Sequence, residues 1–204
     1  MKAIITGDII NSREKDPKEW MKQLKAELDS YGKNPKNWEI FKGDSFQVEV
    51  SNVFLALLAT IKLKAAIKKL GNIDVRLSIG IGSKTYKAKK ISESNGTAFV
   101  NSGEAFESLR EKKQNILIKS PWAKFDNEMN LFLRLALIVM DNWTQKSAEI
   151  VHLTLQKSEL NQEKLGKCLK IGQNAISQRL HRAHYYDLMA LNDMFQAKLK
   201  ENLK

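Results

Sequence analysis

The stretch WEIFKGDSFQVEV, residues 38–50, decides the fold. Within it, Phe46, Val48 and Val50 alternate with polar residues, which is the period of a half-buried β-strand. The Gly-Asp pair at 43–44 supplies a tight turn between this strand and the preceding segment WEIF. The stretch therefore predicts a β-hairpin.

The segments around the hairpin alternate between strand and helix patterns. Strands are indicated by short apolar runs that alternate or are rich in β-branched residues, and helices by apolar residues every three or four positions. In chain order, the predicted elements are a strand at 3–10, a helix at 17–31, the hairpin, a helix at 52–70, a strand at 74–82, a helix near 101–112 and a strand at 115–118.

This order, β-α-β-β-α-β with an additional α-β, predicts an α+β fold. The expected architecture is a ferredoxin-like sheet of the palm type with its helices on one face. Pro121 marks the end of this part, because the sequence after it is helical throughout. We therefore predict a ferredoxin-like domain at 1–120, a connecting helix at 121–142 and an all-α domain at 143–204.

Composition excludes several protein classes. With 204 residues, 43% hydrophobic and 28% charged, the chain is neither disordered nor fibrous, and a single Cys excludes a disulfide scaffold. The longest apolar run is too short to cross a bilayer and the N-terminus has no signal-peptide pattern, so we expect a cytoplasmic protein without a membrane partner. The net charge of +11 favours polyanionic partners. His152, His181 and His184 share no metal-ligand spacing with carboxylates, and we expect them at the surface or at helix caps.

Two acidic residues stand at turns of the predicted sheet. Asp8 ends the first strand and Asp44 lies in the hairpin turn. The first strand neighbours the hairpin in a ferredoxin-like sheet, so the two carboxylates converge on one edge. Such a pair suits Mg²⁺ or Mn²⁺, whose remaining ligands come from water and substrate phosphates. The alternative is that both side chains accept hydrogen bonds from local turn backbone.

Four segments resemble, in order, the motifs of class III nucleotidyl cyclase and GGDEF catalytic domains: GDIINS, FKGDSFQVEV, RLSIGIG and GTAFVNSGEAF. The resemblance covers residues 1–120. It implies that Asp8, Asp44 and the main-chain carbonyl of Ile9 hold the metal, and that Asn101 takes the place of a substrate-polarising Asn. It also implies a homodimer, because cyclase-like sites commonly assemble between two chains.

Two positions depart from the cyclase pattern. The Arg that follows the polarising Asn by four residues is Ala105 here, and the base-reading Lys four residues before the hairpin Asp is Ile40. Loss of such an Arg commonly costs about 10³-fold in phosphoryl transfer. We therefore expect a nucleotide or related ligand to bind with little turnover, held by Lys42, Arg76 and Asn101. The alternative is an active metal-dependent nucleotidyl cyclase or nucleotidyltransferase in which Asn101 is catalytic.

The segment NQEKLGKCLKIGQNAISQRLHRAHYYDL, residues 161–188, predicts a helix-turn-helix. Gly166 is the small residue where the helices touch, and Ile176 and Leu180 anchor the second helix. Lys170 stands at the turn position that glycine often fills, and it costs little there if that position is not left-handed. The segment resembles sigma-factor region 4, which implies double-stranded DNA as a partner. The outward residues of the second helix, whose types bond base edges and phosphates, are Gln173, Asn174, Ser177, Gln178, Arg179 and Arg182.

A cyclase-like part followed by a helix-turn-helix resembles the SatD family of bacterial proteins. The resemblance implies a cytoplasmic, regulatory role without a named reaction. We therefore expect a DNA-binding regulator whose cyclase-like domain binds a nucleotide with a divalent metal. Two alternatives stay open: the metal-dependent enzyme with an accessory helical domain, and a protein-interaction module whose acidic turns are structural or whose helix-turn-helix is only a packing unit.

Overall fold

Five strands form one mixed sheet in a computed structural model that describes residues 1–203. The strand order is β2-β3-β1-β4-β5, with β1 antiparallel to both of its neighbours and β5 parallel to β4. The chain is therefore α+β. The strands are β1 (Lys2–Ile10), β2 (Trp38–Phe41), β3 (Ser45–Val50), β4 (Asp74–Gly82) and β5 (Ile116–Lys119).

Three helices connect the strands, and five more follow the last strand. Each strand and helix predicted before residue 120 is present, with ends that move by a few residues. The helix α1 begins where Pro17 fixes the backbone and the carboxylate of Asp16 accepts a hydrogen bond from the N–H of Lys18, at 2.9 Å. The helices are α1 (Pro17–Leu28), α2 (Ala56–Lys68), α3 (Thr97–Glu111), α4 (Ala123–Met140), α5 (Gln145–Gln156), α6 (Gln162–Leu169), α7 (Gln173–Arg182) and α8 (Tyr185–Asn202).

The helices cover both faces of the sheet. Successive side chains of a strand point to opposite faces. Ile5 of β1 packs in the large core with α1 and α2, whereas Ile4 packs with Ala98 of α3. On the α3 face, the hydroxyls of Thr6 and Ser102 are 2.8 Å apart and buried. The prediction of helices on one face is therefore correct for α1 and α2 and wrong for α3.

One large hydrophobic core joins the sheet to the C-terminal helices. Residues from β1, α2, α4, α5, α7 and α8 belong to a single buried cluster, so the predicted segments 1–120, 121–142 and 143–204 share their interior. Within the segment 143–204, the indole N–H of Trp143 donates to the carbonyl of Ala183 at 3.0 Å. No helix in the described part of the chain has the length and apolar character needed to cross a bilayer.

Candidate functional site

The two acidic turns meet at one end of the sheet, a place that we call the Asp8 corner and define as Asp8, Ser12, Asp44 and Arg76. Asp8 lies opposite Ser45 of β3 on one side and opposite Arg76 of β4 on the other. The next residue, Ile9, is buried and donates its N–H to the carbonyl of Asp44 at 3.2 Å. The structure therefore brings the predicted carboxylates to neighbouring strands.

Arg76 neutralises Asp8 within the corner. Its Nε donates to Oδ1 of Asp8 at 2.9 Å and its Nη2 donates to Oδ2. These hydrogen bonds, with the negative charges of Asp8 and Asp44, raise the pKa of Arg76 against the opposing effect of burial. Asp44 accepts a hydrogen bond from the hydroxyl of Ser12 at 2.9 Å, and Lys42 is exposed in the adjacent hairpin turn. Two carboxylates and one guanidinium leave the corner with a net charge of −1.

Asn101 lies far from the Asp8 corner in the same chain. Its side-chain amide donates to the carbonyl of Ile81 at 2.7 Å. Ile81 is five residues along β4 from Arg76, which is about 17 Å at 3.3 Å per residue. Ala105, at the position of the cyclase Arg, is buried in a cluster with Leu117 of β5. The structure therefore does not bring the predicted catalytic and nucleotide-binding Asn101 together with the predicted metal ligands of its own chain.

The Asp8 corner offers a divalent cation two carboxylates and no third acidic, His or Cys side chain. In the part of the chain that the structure describes, no three such residues come together. Protein-bound Mg²⁺ usually takes one or two carboxylates and completes its shell with water and phosphate oxygens. The corner holds that number of carboxylates, and Arg76 occupies both oxygens of Asp8 in this structure.

The turn between α6 and α7 brings the two helices into close contact. A Cβ atom at Gly166 would lie 2.6 Å from the carbonyl oxygen of Ile171, so only glycine fits there without a shift. The N–H of Ile171 donates to the carbonyl of Gly166 at 3.0 Å. Lys170 has φ 55° and ψ 41°, which is left-handed. The turn position is therefore one at which a residue other than glycine is costly, and Lys170 carries strain that glycine would not.

One side of α7 is polar and exposed, and the opposite side is buried. Ile176 and Leu180 lie in the core and hold the helix, as predicted. Gly172 caps α7 without a side-chain hydrogen bond, and its carbonyl accepts a hydrogen bond from the N–H of Ala175 at 3.0 Å. The exposed side, which we call the α7 face, consists of Gln173, Asn174, Ser177, Gln178, His181 and Arg182.

Arg179 is not part of the α7 face. Its guanidinium donates to the carboxylate of Glu149 on α5 at 3.3 Å, and the side chain is only 17% exposed. The prediction that Arg179 points outward is therefore wrong. His181 is exposed, as expected, and it also belongs to the α7 face, which was not predicted. Its spacing of four from Ser177 and eight from Gln173 places it on that side of the helix.

A buried polar cluster that no sequence pattern predicts lies beneath α5. His152 is buried, with Nε2 2.9 Å from a carboxylate oxygen of Glu27 and Nδ1 3.1 Å from Nζ of Lys69. An ammonium has only donors, so Nδ1 accepts from Lys69 and Nε2 donates to Glu27. Lys62 is 2.9 Å from the other oxygen of Glu27. The expectation of a surface His152 is therefore wrong, because this residue ties α5 to α1 and α2.

The charges of this cluster shift one another's pKa. Burial raises the pKa of Glu27, but hydrogen bonds from His152 and Lys62 outweigh it, so the pKa lies below its ordinary value. Burial lowers the pKa of Lys69, against the attraction of Glu27. The ionised carboxylate of Glu27 is therefore the negative charge that stabilises the ammonium groups of Lys62 and Lys69.

A second buried ion cluster lies between α2, β4 and the end of α4. Lys64 has no exposed surface, and its Nζ is 2.8 Å from Asp74 and 2.7 Å from Asp141. Lys68 pairs with the other oxygen of Asp74 at 3.0 Å. This cluster fixes the end of α4 to the sheet.

Neither a family model, nor a curated protein, nor a solved structure matches this chain.

Proposed function

We propose that this protein binds duplex DNA through the α7 face, as a cytoplasmic regulator of the SatD type. The observation that carries the proposal is the division of α7 between its two sides. Ile176 and Leu180 fix the helix from within, and six polar side chains on the other side face solvent. Side chains of these types bond base edges and phosphates when a helix lies in the major groove.

The geometry of α7 suits this role. Its ten residues span about 15 Å, which is a length that enters the major groove. Gln173, Asn174 and Gln178 carry both donors and acceptors, and Arg182 supplies a cation for phosphate or guanine. Packing alone requires none of these groups to be polar.

Fluorescence anisotropy with duplex DNA at several salt concentrations tests the proposal. Arg182→Ala removes one phosphate-binding cation, so we expect weaker binding to every sequence and a salt slope reduced by about one. Gln178→Ala is expected to change the sequence preference and to leave the slope unchanged. Selection of bound duplexes from a random pool measures that preference.

The matched control is Arg110→Ala, because Arg110 is an exposed arginine in the last turn of α3, outside the α7 face. It removes the same charge, so both variants lower a purely non-specific attraction equally. We expect Arg110→Ala to bind DNA like the unmodified protein. Equal affinities and slopes for the two variants would refute recognition through α7.

A second function, binding of a nucleotide or related phosphate ligand with Mg²⁺ or Mn²⁺, is favoured by the Asp8 corner. The connections β1-α1-β2-β3-α2-β4 and the neighbour order β4-β1-β3-β2 are those of a ferredoxin-like sheet, which supports the cyclase resemblance. Asp8 and Asp44 are the metal ligands that we propose. Arg76 is positioned to move from Asp8 to the phosphate, where its charge replaces part of what Ala105 does not supply.

Calorimetric titration with each nucleoside triphosphate and Mn²⁺ tests the second function. Replacement of both Asp8 and Asp44 by Asn keeps their size and removes two charges, so metal-dependent binding should be lost while the fold persists. Asp16→Asn is the control, because Asp16 is an exposed carboxylate on the loop that follows β1. Unchanged affinity in the double variant would exclude the corner, and rapid formation of a cyclic product would favour the enzyme.

A further inference from the structure

The helix α4 is apolar on almost every side in its second half. Residues 131–140 read LFLRLALIVM, in which Arg134 is the single charged residue. Leu133, Leu137 and Met140 of this stretch are buried in the core, and Phe132, Ala136 and Val139 are partly buried against it. Leu135 and Ile138 are 54% and 66% exposed, and Leu131 is also exposed. A helix that is apolar all round is normally covered all round, so this exposed side lacks a covering partner.

The exposed apolar residues form a ridge beside a groove. Leu131, Leu135 and Ile138 follow one another at spacings of four and three, which places them in one row along α4. The groove lies between α4 and α8, with a volume of about 410 Å³. Its lining is apolar apart from two residues at one end, His184 and Asp187. The apolar residues that line it include Phe132, Ala136, Val139, Leu188, Leu191 and Met194.

We propose that this α4–α8 face joins two copies of the chain around a two-fold axis. In such an interface the same patch is used by both copies, so it must carry both members of each complementary pair. The face does so in shape, because the ridge and the groove lie side by side. It also does so in charge, because Arg134 is exposed beside the ridge and Asp187 is exposed at the groove.

The size of the face is that of a dimer contact. Both helices have 18 residues, which gives each a length of about 27 Å. Two helices side by side, each about 10 Å wide, project an area of about 500 Å². The accessible surface of such a ridged face is larger than its projection, and stable interfaces bury about 800 Å² per partner. A second copy therefore covers this face with an area of the right order.

Sedimentation velocity of the full chain over a range of concentrations tests the proposal. We expect the unmodified protein to be a dimer, and Ile138→Glu to raise the dimer dissociation constant by about 100-fold. Val100→Glu is the matched control, because Val100 is 51% exposed on α3, away from the face, and it should leave the dimer intact. Both positions are exposed, and circular dichroism verifies that each variant is folded.

A charge exchange keeps the test independent of the apolar substitution. Arg134→Asp and Asp187→Arg should each weaken the dimer by about tenfold, and the double variant should recover it, because the cross-contact is re-formed with its charges exchanged. An unmodified protein that is monomeric at every concentration would overturn the proposal. So would a monomer that binds phosphatidylglycerol vesicles through Ile138, because the occupant would then be a membrane surface. DNA binding by α7 is measured separately and can fail without affecting this result.

Discussion

The polar residues beneath α5 and those on α7 differ in what they contact. Glu27, Lys69 and His152 are buried and bonded to one another between three helices. Gln178 and Arg182, which lie on the α7 face, are exposed to solvent. The hydrogen bonds among Glu27, Lys69 and His152 hold α5 against α1 and the end of α2. The polar groups beneath α5 are therefore occupied within the fold, whereas the polar side chains of the α7 face are exposed.

The largest effect is expected where a buried charge loses its partners. Lys64→Met removes the cation that lies between Asp74 and Asp141. Asp74 then keeps its ion pair with Lys68, and Asp141 loses its ion pair with Lys64. Breaking a buried ion pair from one side typically costs about 3–5 kcal/mol of unfolding free energy. Urea denaturation measures this loss. Lys90→Met, at an exposed ion pair, should cost no more than about 0.5 kcal/mol. An equal loss of unfolding free energy in both variants would show that burial of the ion pair makes no difference.

A smaller loss is expected where α6 meets α7. In Gly166→Ala the new methyl group meets the carbonyl of Ile171, and overpacking of this kind costs about 1–3 kcal/mol. Gly172→Ala is the control, because no atom lies within 4 Å of a Cβ at Gly172. It should change the unfolding free energy by less than about 0.5 kcal/mol. Thermal unfolding of both variants measures the difference, and DNA binding should fall only with Gly166→Ala.

Acid should weaken the cluster beneath α5. The pKa of Glu27 is lower in the folded chain than its ordinary value of 4.5, so folding is favoured by the ionised form. This contribution is fully present above pH 4.5 and is lost as the pH falls through the folded-state pKa. In urea unfolding over a pH series, the free energy of unfolding should therefore fall more steeply with decreasing pH for the unmodified protein than for Glu27→Gln.

Glu19→Gln provides the matched control for this pH dependence. Glu19 lies on the same helix, and its side chain is 58% exposed. Its substitution should leave the acid slope as in the unmodified protein. A Glu27→Gln variant with the same slope as Glu19→Gln would show that the buried cluster does not titrate as described.

The smallest effect, and the only gain, is expected at the turn before α7. Lys170 is left-handed, so Lys170→Gly relieves backbone strain of about 1 kcal/mol, partly offset by the greater freedom of glycine in the unfolded chain. We expect a net gain of about 0.5 kcal/mol in thermal unfolding experiments. Lys167→Gly, in the last turn of α6, should instead cost up to about 1 kcal/mol. A loss at both positions would contradict the left-handed assignment.

The sheet could be predicted from local patterns, and much of the site could not. Alternation in FQVEV and the Gly-Asp turn define the hairpin without long-range information, and Ile176 and Leu180 define the buried side of α7 by spacing alone. The contact of Arg76 with Asp8 joins residues 68 apart, and that of His152 with Glu27 joins residues 125 apart. A contact between residues so far apart in the chain leaves no periodic pattern in the sequence. Arg179 shows the same limit, because its partner Glu149 lies on a different helix.

The core that the sheet shares with the C-terminal helices affects how the molecule unfolds. It runs without a break from the sheet into α5 and α7, and the hydrogen bond from Trp143 to Ala183 joins those two helices to each other. The helical part therefore has no hinge at which it can melt alone, and thermal denaturation should be one cooperative transition rather than two. By mass action, a ligand that stabilises the Asp8 corner then raises the melting temperature of α7 as well. The two ends of the molecule share one folding equilibrium.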